Sequence, residues 1–77
     1  MIKKIFLEVF EELCEDIKRK YIIKKVSITS TKNKQIIIFL TYATRPTNFF
    51  QSILLKRIKQ EVDNVKLVLL NAKKDSK

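Results

Sequence analysis

The chain has 77 residues, room for one small domain, and 45% of them are apolar, an ordinary share for a globular protein. Seventeen Lys and Arg oppose eight Asp and Glu, a formal charge of +9 with no histidine to move it near neutral pH. The absence of glycine excludes phosphate-cradling loops and dinucleotide fingerprints, and one cysteine without histidine leaves no zinc set and no nucleophile-base pair, so a non-enzymatic protein without cofactor or metal is expected.

Ile2, Ile5, Phe6, Val9, Phe10, Leu13 and Ile17 recur at helical spacing, with Glu8, Glu11 and Glu15 on the opposite side, which predicts an amphipathic first helix. Lys18, Arg19 and Lys20 suit its negative pole, and Glu15 with Arg19 and Asp16 with Lys20 are spaced for ion pairs. The start MIKKIFLEVFEELC imitates a secretory signal. Glu8, Glu11 and Glu12 interrupt its apolar run, and no stretch approaches the ~20 apolar residues of a membrane span, so a soluble, cytoplasmic protein is expected. Cys14 reads as a small buried hydrophobe.

From Tyr21 the period becomes two: Val26 and Ile28 point one way, Lys25, Ser27 and Thr29 the other, as in a half-exposed strand. Thr31 to Lys34 reads as a hairpin turn with Asn33 in the left-handed conformation. Ile36 to Tyr42 is apolar on both faces and predicts a central strand. Pro46 must end it; Thr47 or Asn48 then caps a second helix, Asn48 and Gln51 resembling a capping box, that runs to about Val62. Phe50, Leu54, Ile58 and Val62 share its packing face, whereas Phe49 and Ile53 fall at the far edge beside Lys56 and Arg57. Val65 to Leu70 predicts a last strand, and residues 71–77 a flexible basic tail on a single domain of residues 1–70.

The order α-β-β-α-β predicts a two-layer α+β fold with both helices on one face of a three-stranded sheet. The other face then keeps Ile37 and Phe39, with Val68 or Leu70, available, and a homodimer or a bound partner protein is expected there. Charge adds direction. Five of the eight acids precede residue 17, leaving net +12 beyond it. An AT-rich coding sequence accounts for abundant lysine and isoleucine, but it does not obviously produce this segregation, whereas an electrostatic footprint does.

Thr41 to Arg57 carries the sharpest question, whether a capped helix start is also an anion seat. Unpaired amides at the helix start, Arg45, Asn48 and the hydroxyls of Thr41, Thr44 and Thr47 suit one phosphate, although Asn48 alone is enough to satisfy those amides. Lys24, Lys25, Lys32, Lys34, Lys56, Arg57 and Lys59 extend this into a candidate basic surface for DNA or RNA phosphates, with Tyr42 and Phe49 as candidate stacking platforms. Glu8, Glu11 and Glu15, together with Ile37, Phe39, Phe49 and Ile53, are the candidate protein-binding residues.

The segment QIIIFLTYATRPTNFFQSILLKRIKQEVDNVKLVLL runs from a hydrophobic strand through a threonine-containing turn into an aromatic, leucine-rich helix and a short strand. In this it resembles the KH-like domain of the DciA family of bacterial replicative-helicase loaders, over roughly Val26 to Leu70. The resemblance implies a KH-like fold and a place in DNA replication with a helicase partner. The Gly-x-x-Gly loop of KH domains has no counterpart here, nor do the tryptophan and glycine that the family carries before the hairpin. The reading is a small nucleic-acid-binding accessory protein; the alternatives are a protein-interaction or dimerisation module, or a ribosome-associated or phage-encoded regulator.

Overall fold

The computed structural model describes the backbone of residues 2–75 and the side chains of residues 2–73. Helix α1 (Ile2–Ile17) leads into strand β1 (Ile23–Ser30), a hairpin to β2 (Ile36–Tyr42), helix α2 (Asn48–Ile58), strand β3 (Val65–Asn71) and a short helix α3 (Ala72–Asp75). The sheet order is β1-β2-β3, with β2 antiparallel to β1 and parallel to β3. This is the α+β order predicted from periodicity, with a mixed sheet built around the strand that is apolar on both sides.

The two faces of β2 explain the layering. Ile38, Leu40 and Tyr42 are buried, while Ile37, Phe39 and Thr41 between them are only half-buried. Ile38 and Leu40 meet Phe6, Phe10 and Leu13 of α1 and Phe50, Leu54 and Ile58 of α2 in one core, so both helices cover the same face. Phe50 is fully enclosed, with its ring centroid 5.1 Å from that of Phe10 and 4.7 Å from that of Tyr21, both edge-on. Edge-to-face pairs of this kind add about 0.5–1.5 kcal/mol beyond area burial.

Without glycine, the left-handed positions fall to lysine. Lys18 has φ 55° just past α1, where its amide donates to Glu15 O and that of Arg19 to Cys14 O at 3.2 and 3.0 Å, the two bonds of a Schellman cap. The reversal takes Arg19 and Lys20 off the helix, so the i,i+4 pairs expected with Glu15 and Asp16 do not form; Asp16 instead accepts from Arg57. In the hairpin the left-handed residue is Lys34, φ 64°, rather than Asn33. The Thr31 amide donates to Gln35 O and the Lys34 amide to Thr31 O, which puts the turn reversal one residue later than the sequence suggested.

Helix α2 stops at Ile58, short of the expected Val62, because the chain tightens into turns: the amides of Gln60 and Glu61 donate three residues back, to Arg57 O and Ile58 O. Val62 still packs against the core from that turn. Strand β3 extends through Asn71, whose Oδ1 accepts from the Lys73 amide at the start of α3, where a loose tail was expected. Residues 76 and 77 of that tail lie outside the described residues.

Tyr21 is buried, and its hydroxyl has no hydrogen-bond partner. Burial alone would push its pKa up; Thr47 and Arg19 alongside outweigh that and bring it below the usual tyrosine value, yet neither reaches hydrogen-bonding geometry. Replacing a buried hydroxyl that makes no bond with hydrogen removes a desolvation cost. Tyr21→Phe is therefore expected to leave stability unchanged or to raise it by up to about 1 kcal/mol in urea denaturation. A loss of about 2 kcal/mol would mean that the hydroxyl is partnered after all.

Candidate nucleic-acid interface

The start of α2 is built for closure. Thr47 is its N-cap, with extended backbone and a side chain that accepts from the Phe50 amide at 3.2 Å. Asn48 is thus the first helical residue and not the cap, and Gln51 does not complete a capping box: its Nε2 donates to Pro46 O at 2.8 Å. Arg45 Nη1 donates to Tyr42 Oη at 3.1 Å, with the guanidinium carbon 5.8 Å from that ring's centroid. Tyr42 is buried beneath it and offers no stacking surface. Thr41 projects from the other side of the sheet, since the burial alternation of β2 puts it opposite Tyr42. Of the groups expected to converge on one phosphate here, Thr47 and Arg45 bond within the turn and Thr41 lies on the other face, while Thr44 and Asn48 are exposed.

The basic residues also divide. Arg57 Nη2 donates to Asp16 Oδ2 at 3.0 Å, joining the end of α2 to the end of α1. It lines a groove between the helices together with Glu8, Glu12 and Glu61, so it belongs to the acidic side of the molecule, a correction to its assignment as a phosphate anchor. The pair is too exposed to be worth more than about 1 kcal/mol. Lys56 and Lys59 remain exposed on and after α2, and Lys32 and Lys34 are exposed in the hairpin loop.

Lys24 and Lys25 sit at the start of β1, where the pairing register shifts between Ile23 and Lys25. Such a bulge bends the strand and re-aims its side chains. A shallow groove beside them is lined by Lys3 and Leu7 of α1 with Ile23, Lys24 and Lys25, and carries no acid. The adjoining hollow toward Tyr21 contains Glu11, which limits the groove on that side. Lys3 lies in the first turn of α1, and its approach to β1 is set by the tertiary fold.

The uncovered sheet face continues the basic ground. Partnered residues in adjacent strands project to the same side, so the pairing sets Lys25, Thr41 and Leu70 in one row, Ser27, Phe39 and Val68 in the next, and Thr29, Ile37 and Lys66 in the third. None of the nine is acidic. Lys25 and Lys66 are exposed, Ile37, Phe39 and Val68 are half-buried, and Leu70 is exposed. The apolar character expected for this face at Ile37 and Phe39 is therefore present, and Lys66 joins it.

No protein-family model matches the chain, and neither a curated protein nor a solved structure does. What the molecule does must be read from its own surface. Of the other candidate protein-binding residues, Phe49 is 68% exposed on the first turn of α2, while Ile53 packs against the core and is not free. Glu8 lines the groove toward α2, whereas Glu11 and Glu15 border a hollow beside Lys20 and Tyr21, so the three carboxylates spread across the outer side of α1. Burial pushes the Cys14 thiol above its usual range, which keeps it protonated and poorly nucleophilic. Among the described residues no helix is long and apolar enough to cross a membrane.

Proposed function

We propose that this protein is a small, non-enzymatic nucleic-acid-binding accessory protein that holds backbone phosphates on a basic surface centred on Lys24, Lys25 and Lys66. The observation that carries the reading is the ground formed by the open sheet face and the β1 margin, where none of the described residues that form it is acidic, in a chain with net +12 beyond residue 17. Clustered lysines of this kind bind polyanions chiefly by releasing condensed counterions, which supplies affinity without sequence preference. The resemblance to the DciA family extends the proposal to DNA replication, with a helicase as protein partner and the acidic outer side of α1 available to it.

Salt titration of binding to labelled DNA and RNA tests the mechanism. With about six phosphate contacts, affinity falls on the order of a thousandfold between 50 and 200 mM salt. Binding that does not respond to salt rules the electrostatic mechanism out. A second reading, a protein-interaction module, draws on the exposure of Phe49 and Ile22, 68% and 57%. It is favoured if the protein captures a partner but retains no nucleic acid at low salt.

A further inference from the structure

Phe39 occupies the centre of the open face, between Ser27 on β1 and Val68 on β3. Both neighbours in its row are smaller than a phenyl ring, and Phe39 is only half-buried despite lying on the central strand. Lys25 and Lys66 stand in opposite rows and on opposite edge strands, so they mark two diagonal corners around it. From ordinary strand spacing and rise, these corners are roughly 16 Å apart. The remaining corners are Thr29 and Leu70.

A flat apolar centre with cations on both sides matches unpaired nucleotides, whose bases stack on aromatic rings while their phosphates pair with lysine. A duplex cannot use the ring, because its bases already stack on one another. A second copy of the chain is a poorer occupant: it would bring more lysine against Lys25 and Lys66 on a face whose nine described side chains include no carboxylate to neutralise them. We infer that the open sheet face is a platform for single-stranded nucleic acid, with Phe39 stacking on a base and Lys25 and Lys66 holding the phosphates on either side. The inference rests on the nucleic-acid-binding reading above and specifies the strand type and the face.

The test measures fluorescence anisotropy with short labelled single-stranded DNA, single-stranded RNA and duplex DNA, each against wild type, Phe39→Leu and Phe39→Tyr. Wild type is expected to prefer a single strand. Phe39→Leu keeps an apolar side chain but loses the ring, and should weaken single-strand binding roughly five- to hundredfold while leaving duplex binding unchanged. Phe39→Tyr should stay within about twofold of wild type. The DNA and RNA arms identify the sugar preference.

Salt-sensitive binding that Phe39→Leu leaves intact, or a preference of wild type for duplex, overturns the platform and spares the parent reading. Failure of wild type to bind any of the three overturns both. A dimer in sedimentation that single strands do not dissociate gives the face to a second copy and overturns the platform as well. Photo-cross-linking of bromouracil-substituted single strands to the unmodified protein needs no variant: adducts on β2 or β3 support the platform, and adducts confined to α2 overturn it.

Discussion

Phe50→Ala is expected to abolish cooperative folding near room temperature, whereas Phe49→Ala, one residue earlier, should scarcely register. Phe50 is fully enclosed and meets both Phe10 and Tyr21, which makes it the point where α1, α2 and the segment before β1 converge. Truncating a buried phenylalanine costs about 3–5 kcal/mol. A chain of this length has a total stability of only about 4–12 kcal/mol, and small domains fall toward the lower end. Phe49 is 68% exposed, and surface substitutions of that kind stay within about 0.5 kcal/mol. Thermal melts followed by far-ultraviolet circular dichroism check the pair. A Phe50→Ala midpoint within about 5 °C of wild type contradicts the packing described for this core.

The second large effect concerns charge. Lys24→Glu/Lys25→Glu/Lys66→Glu is expected to weaken nucleic-acid binding on the order of a hundredfold at low salt and to lower the log-log salt slope by about two to three, because each phosphate contact contributes roughly 0.7–0.9 to that slope. All three lysines are exposed, so folding should survive. Lys56→Glu/Lys59→Glu is the comparison. These residues flank Arg57, which is paired with Asp16, and Glu61 follows close behind, so the same kind of reversal there acts on ground that is already mixed in sign. Less than a tenfold loss is expected. If the α2 pair costs more than the β1-β3 triple, the interface lies on the helix and the proposed surface is wrong.

Much of the fold was legible because its elements obey single periods. The stripe from Ile2 to Ile17 and the alternation around Val26 and Ile28 needed no tertiary information, and Pro46 fixed where β2 ends. Boundaries governed by local hydrogen bonding were less readable. Lys34 takes the left-handed position beside the better suited Asn33 because the loop closes between Thr31 and Gln35. The site was harder still, since charge clusters depend on register and on partners distant in sequence. Asp16 and Arg57 lie 41 positions apart, and nothing near either one announces the other. Lys66 joins the Phe39 face only through the parallel pairing of β2 with β3. Lys25 was visible as a surface lysine, but its place diagonal to Lys66 was not.

The two margins of the sheet are unequally defended. Edge strand β1 begins with a register irregularity against β2 and carries two consecutive lysines, features that discourage another chain from extending the sheet there. Strand β3, at the other edge, keeps an unbroken register with β2 from Val65 to Asn71 and includes a single charged residue, Lys66. Strand-by-strand accretion into fibrils in concentrated solution therefore has its open end at β3, where an added positive charge or a proline would be the natural safeguard.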